Sequence, residues 1–288
     1  MKNLFVILFM ILTISCEKVI DMNIPDKGRR PVVNCVFGDS NYVYMTIHRS
    51  KHILDNSYDF SVISGAGIII TNAGTNHSDT LFETSTPGNY KSLQALTSPG
   101  TYNLKVMADG RTIESSTIIP EKAQIISIDT SSFSVDNEDM YRMDIRFSDA
   151  GPGDDYFMIG VKRVSSIGDK YNISLFSSDL IITTYYKDYL LFNDDLFNNK
   201  EKTLRVEMQK SNLYTEYDSL DLTIELFSLS YDAYMYFATS QEQMYAGGPF
   251  SEPVVVYNNI NEGYGIFAGY SISKNIIRVP RYDTQWTE

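Results

Sequence analysis

Histidine, cysteine and tryptophan are scarce in this chain, which holds three His, two Cys and one Trp among 288 residues. Cys16 and Cys35 could close one disulfide at most, so packed cores and not covalent staples must hold the fold. Three histidines leave few proton shuttles for neutral pH and few nitrogen ligands for zinc. His48 and His52 stand four apart in HRSKH, but His48 ends an expected strand and no third ligand follows, so no metal site is expected there. His77, in NAGTNHSD, reads as a solvated turn residue. There is no GxSxG elbow, no P-loop and no GxGxxG, which removes local support for nucleophile-elbow hydrolases, nucleotide hydrolases and Rossmann enzymes. Positive charge is short as well. With 24 Lys and Arg against 36 Asp and Glu, the net charge is −12, which argues against nucleic acid or an anionic bilayer as the main partner.

No apolar run approaches the roughly 20 residues that a spanning helix needs. The run from Leu4 to Leu12 lies behind Lys2 and ends in small or polar residues before Cys16, which is the anatomy of an export signal. Ser15-Cys16 resembles the lipobox of bacterial lipoproteins, although Thr13 stands where Leu is usual and Leu12 comes one step early. The reading is a lipoprotein signal peptide over 1–15, with Cys16 acylated as the first mature residue and membrane lipid as its contact. Each buried methylene contributes about 0.8 kcal/mol, so several acyl chains anchor stably where one binds reversibly. Cys35 then remains a small hydrophobe inside a strand. Residues 16–30, with Pro25 and Gly28 among charged neighbours, read as a tether.

What the chain does have is aromatic residues, 21 Tyr and 15 Phe, and short apolar runs punctuated by turns. The fold class expected is mainly β. Over 31–120, strands are expected at 31–37, 42–49, 66–71, 80–84, 89–93, 102–108 and 111–119, forming an Ig-like or transthyretin-like β-sandwich. Asp109-Gly110 supplies a two-residue hairpin turn. Over 121–288 a second antiparallel β domain is expected, with strands at 124–130, around 142–147 and at 156–164, 173–176, 180–185, 204–208, 220–227, 253–257, 265–272 and 276–279. One packed α-helix near 230–246 interrupts it, capped by Ser230 and stopped by Gly247-Gly248-Pro249. The segment PFSEPVVVY with its following glycines reads as a closing hairpin against that helix.

The stretches CEKVIDMNIPDKGRRPVVNCVF, TIHRSKHILDN, SGAGIIITN and GGPFSEPVVVYNNINEGYGIFAGYS resemble a Bacteroidota lipoprotein family known as domain-of-unknown-function family 4249. The likeness extends to two PGxY turns, Pro87-Gly88-Asn89-Tyr90 and Pro99-Gly100-Thr101-Tyr102. It extends also to a C-terminal pattern through Pro249, Phe250, Glu252, Pro253, Asn259, Gly263, Gly265, Phe267 and Gly269. The resemblance implies an outer-membrane, surface-exposed lipoprotein that accompanies a β-barrel or TonB-dependent receptor complex. It assigns no chemistry.

The function expected is therefore that of an accessory or scaffolding subunit, not an enzyme. The alternative is a glycan- or peptide-binding lipoprotein feeding a transporter, with Tyr185, Tyr186 and Tyr189 as candidate ligand contacts. A hydrolase ranks below both. Asp154-Asp155 and Asp194-Asp195 lie in polar loops and read as solvated, not as a glycosidase pair. No cofactor is expected, apart from structural Ca²⁺ as a minor alternative in the acidic loops near Asp136 and Asp194.

Overall fold

Alternation of buried and exposed side chains runs through most of the chain and makes it a β protein. A computed structural model describes residues 28–280 apart from 40, 53–54, 56–59, 98, 150, 152, 165–169, 214–218, 247–251 and 253; Cys16 and the expected signal and tether up to 27 lie outside the described residues. The first unit contains β1 (Pro31–Gly38), β2 (Tyr42–Arg49), β3 (Gly67–Asn72), β4 (Ser78–Glu83), β5 (Asn89–Ala95), β6 (Gly100–Ala108) and β7 (Arg111–Ile119). β2 and β7 match the expected bounds, and the other five differ from them by a few residues at their ends. Asp109 and Gly110 have φ of 49° and 70°, as the hairpin between β6 and β7 requires.

The strand order β1-β2-β5-β4-β3-β6-β7 folds over on β4, which pairs β5 through Phe82 and Glu83 and pairs β3 along its earlier residues. The two halves enclose one core that includes Val33, Phe37, Met45, Ile68, Tyr102 and Ile113. Cys35, buried there, has a thiol pushed far up by desolvation, so it stays neutral and packs as a hydrophobe.

The second unit contains β8 (Ile125–Val135), β9 (Glu138–Ser148), β10 (Tyr156–Val164), β11 (Lys170–Asn172), β12 (Ile182–Tyr186), β13 (Tyr189–Asn193), β14 (Glu201–Gln209), β15 (Ser219–Leu229), α1 (Tyr231–Tyr245) and β16 (Tyr264–Pro280). The sheet β14-β9-β8 packs across a core on the larger sheet β12-β13-β10-β15-β16. Phe147, Phe157, Phe192 and Phe197 pack ring on ring in that core, with centroids 5.3 to 6.1 Å apart. α1 covers the other face of the larger sheet, where Met158, Leu191, Phe227 and Ile266 meet Ala233 and Tyr234. β10 is therefore buried on both faces, which explains its unbroken apolar run. Ser230 caps α1 as expected, its side chain accepting from the Ala233 amide at 3.1 Å. Tyr245, at the last turn, is exposed.

Several expected elements are corrected. Residues 265–279 form no hairpin and no pair of strands: β16 is one strand of 17 residues. Its first half runs parallel to β1, from Val32 opposite Tyr264 to Gly38 opposite Tyr270, and its second half pairs antiparallel with β15. One strand thus serves both units, and Phe267 and Val279 belong to different cores. Residues 254–260 are not a strand; Tyr257 packs with the α1 cluster and Ile260 enters the first core, while Val255 is exposed. At 173–176 the expected strand is reduced to a single bridge from Phe176 to Glu207, with Ile173 and Leu175 buried in the core. The acidic stretch near Asp136 is a tight hairpin turn, with φ of 49° at Asp136 and 66° at Asn137 joining β8 to β9.

Candidate functional site

The β9–β10 and β13–β14 connections both cross from one sheet of the second sandwich to the other, at the same end of it. Register holds them side by side: Glu201 at the start of β14 faces Ser148 at the end of β9, and Tyr156 at the start of β10 faces Asn193 at the end of β13. The carboxylates of Asp149, Asp155 and Asp194 consequently meet, with one oxygen of each lying within 4.8 Å of the others. Phe197 anchors the second crossover into the aromatic core below.

Of each adjacent acidic pair, one member turns inward and the other outward. Asp155 is half-buried and Asp194 is 1% exposed, while Asp154 and Asp195 face solvent. The Asp155 amide donates to Asp194 Oδ1 at 3.0 Å and the Asp194 amide to the Asp155 carbonyl at 3.1 Å. Asn199 N donates to Asp149 Oδ2. Asp194 Oδ2 and Asp149 Oδ1 are buried with no hydrogen-bond partner among the described residues. None of the ion pairs among the described residues involves these three aspartates. Burial pushes the Asp155 carboxyl up to about 7, reinforced by Asp149 and by the charges of Asp194 and Glu121. Burial likewise raises Asp194, although the Asp155 amide opposes the shift.

Sequence reasoning placed Asp155 and Asp194 in solvated loops and did not single out Asp149. No local signal marks the cluster, since the loops SDAGPGDD and FNDD are brought together only by strand pairing. Two surface cavities lie away from the cluster: one of about 510 Å³ involves Phe133, Met140 and Phe176, and another of about 320 Å³ lies between Ile63 and Arg111.

Tyr185, Tyr186 and Tyr189 do not form one platform. Tyr186 stacks on Phe237 of α1 at 4.9 Å, and Tyr189 packs edge-on against Phe227 and lies over Gly160, where a Cβ would come within 2.3 Å of its ring. Tyr185 is on the opposite face of β12, its hydroxyl donating to the Ser177 carbonyl at 2.7 Å. No group of three candidate ligands forms around His48 and His52 among the described residues. His77 lies in an exposed turn with its Nε2 3.3 Å from Gln94 Nε2.

The glycines of the C-terminal pattern mark close backbone approach. A Cβ on Gly265, whose φ is 110°, would lie 2.0 Å from the Val33 carbonyl oxygen, and one on Gly269 2.3 Å from that of Ile118. β16 passes between β1 and β7 at distances that exclude side chains. Pro249, Phe250 and Pro253 lie outside the described residues.

One further surface stands out. On the outer face of β2-β5-β4, Tyr44, Lys91 and Phe82 are register neighbours across three strands, with Tyr42 and Leu93 beside them. Tyr44, Phe82 and Leu93 are 57%, 53% and 69% exposed, and the Lys91 ammonium lies 4.1 Å from the Tyr42 ring centroid.

No curated protein sequence matches the chain. Among solved structures, a DUF4785 family protein from Legionella pneumophila is similar at 10% identity and a TM-score of 0.25, over 68% of this chain and 52% of that one. This chain therefore spans about half the length of that protein. A structure of manganese lipoxygenase from Gaeumannomyces graminis with part of zonadhesin from Komagataella pastoris gives 8% identity and a TM-score of 0.21, over 87% and 93% of the two chains. Superposition at these scores supports neither a shared fold nor a shared function. The sequence itself is decisive: the family model described as Domain of unknown function (DUF4249) matches residues 17–276, and the chain belongs to that family.

Proposed function

We propose that this protein is an outer-membrane lipoprotein, anchored by lipid on Cys16 and facing the cell surface, that serves as a non-catalytic accessory or scaffolding subunit of an outer-membrane complex of the TonB-dependent receptor kind. The observation that carries the reading is the exposed aromatic face of β2-β5-β4. Aromatic side chains with one cation among them have the composition of an interface centre, and three adjacent strands give them a rigid base. The position of that face also favours a membrane partner. β2 is the direct neighbour of β1, and β1 begins at Pro31, where the expected tether of residues 16–30 ends. The face therefore lies on the part of the fold nearest the anchor in sequence, within reach of a barrel in the same membrane.

The anionic surface fits this arrangement, since it keeps the protein off an acidic lipid layer and leaves partner choice to the apolar face. The test is affinity purification of the tagged protein from outer membranes, followed by mass spectrometry, with protease shaving of whole cells to establish the face. A co-purifying barrel that disappears in a Tyr44→Ala/Leu93→Asp double variant supports the reading, because both side chains are exposed and their loss leaves the cores intact. Migration of the native protein alone, or a partner retained by the double variant, counts against it.

A further inference from the structure

We propose that Asp149, Asp155 and Asp194 form a calcium site that clasps the two crossover connections of the second sandwich. Three carboxylates with oxygens within 4.8 Å of one another fall inside the span of about 5 Å that oxygens on opposite sides of one Ca²⁺ can have. The donor set is oxygen alone, which suits a hard cation and not zinc or copper.

The independent observation is the unpartnered oxygen. Asp194 is almost fully buried, and its Oδ1 is committed to the Asp155 amide while its Oδ2 has no donor among the described residues. Asp149 repeats the arrangement, with Oδ2 taken by Asn199 N and Oδ1 buried and unpartnered. Solvated surface carboxylates do not leave oxygens buried without donors, because burying an unpaired anionic oxygen costs several kcal/mol. The backbone amides already hold one oxygen each of Asp149 and Asp194 in place, so the free oxygens are oriented before an ion arrives.

Calcium is favoured over magnesium on two grounds. Mg²⁺ demands near-ideal octahedral geometry at about 2.1 Å and keeps most of its water, which a site with an almost fully buried ligand does not accommodate. Ca²⁺ accepts irregular coordination by ligands from separate loops, with water or main-chain oxygens filling the remaining positions. The consequence is mechanical. Asp149 and Asp155 belong to one crossover and Asp194 to the other, so one ion ties both loops at the end of the sandwich where β9, β10, β13 and β14 meet.

The experiment is calorimetric titration of CaCl₂ into the full chain stripped with EGTA, with melting curves in EGTA, CaCl₂ and MgCl₂. One saturable Ca²⁺ site is expected, with Tm higher by about 5 °C at a hundredfold excess over Kd. Asp194→Asn should weaken binding at least tenfold. Because that variant changes a buried group and puts folding at risk, Asp155→Asn provides a second arm with an opposite signature. It should raise Tm in EGTA, by relieving like-charge repulsion, and abolish the response to Ca²⁺. Absence of heat and of any Tm shift at millimolar Ca²⁺ would overturn the proposal, as would an equal response to Mg²⁺ or a full Ca²⁺ response in Asp155→Asn.

Discussion

The side-chain amide of Asn259 pairs with the backbone of Phe267 as a neighbouring strand would: Nδ2 donates to the Phe267 carbonyl at 2.8 Å and Oδ1 accepts from the Phe267 amide at 2.9 Å. This occupies the edge of β16 not used by β1, in the half of the strand that β15 does not reach. The Asn259 carbonyl in turn accepts from Ser115 Oγ of β7 at 2.8 Å. One residue thus satisfies a strand edge and holds it to the opposite sheet, which gives the family-pattern asparagine a structural role.

Asn259→Ala should leave the Phe267 amide and carbonyl without partners. The cost expected is about 2 kcal/mol, since two backbone groups lose their hydrogen bonds at a partly buried edge. Asn259→Asp should be nearly as damaging, because a carboxylate accepts from the amide and repels the carbonyl. Urea unfolding of both variants, with similar losses and unchanged m-values, checks this.

Gly265→Ala should be worse than any other glycine substitution on the strand it occupies. The added Cβ meets the Val33 carbonyl oxygen at 2.0 Å and the positive φ adds strain, so a loss of roughly 3 kcal/mol or failure to fold is expected. Gly110→Ala separates the two effects, since φ there is 70° with nothing within 4 Å, and about 1 kcal/mol is expected. Thermal melts of the pair, side by side, distinguish backbone contact from backbone conformation.

These two positions also show what sequence makes legible. The mainly β class, most strands, the Ser230 cap and the Asp109-Gly110 turn are local, written in alternation and in residues that tolerate positive φ. The closing strand was misread as a hairpin because Gly263, Gly265 and Gly269 suggest turns locally, and only the nonlocal passage between β1 and β7 shows them to be clearance. β13 escaped notice because Lys187 adopts a φ of 53° at the preceding turn without a Gly or Asn to announce it. The acidic cluster was half visible: two aspartates were noted as loop residues, but their meeting with Asp149 depends on pairing between β14 and β9, a register that no local pattern encodes.

Glu225 sets an acid limit on stability. It is 3% exposed on β15, between Lys162 of β10 at 2.7 Å and Lys274 of β16 at 2.9 Å. Burial pushes its carboxyl up, but the hydrogen bonds from Lys162 and Lys274 outweigh burial and hold it below the usual glutamate range. A depressed folded value means that the stabilisation is complete above the ordinary Glu range near pH 4 and is lost as pH falls through the depressed value. Glu225→Gln should therefore cost about 2 kcal/mol at pH 7, allowing for the partial exposure of both lysines, and should flatten the fall in Tm on acidification. A Tm series from neutral pH downward decides it: an unchanged slope in the variant would show that other carboxylates govern acid unfolding.

Cys16 is the hinge of the functional reading, and its test needs no partner. If its sulfur carries lipid, Cys16→Ser removes both the acyl chains and the processing site, and the protein should leave the outer membrane and stay at the inner membrane as an uncleaved precursor held by its apolar leader. The folded part gives no reason for it to remain, since among the described residues no helix is long and apolar enough to cross a membrane, and the net charge opposes binding to anionic lipid. Globomycin should produce the same inner-membrane fractionation, trapping an uncleaved precursor that differs from the serine variant in carrying a diacylglyceryl group on Cys16. Loss of the serine variant from the outer membrane, together with a globomycin precursor heavier than it by one diacylglyceryl group, would establish lipid as the anchor. A serine variant that still sediments with outer membranes would move the attachment to the aromatic face of β2-β5-β4, where Leu93→Asp in the same background should then release it.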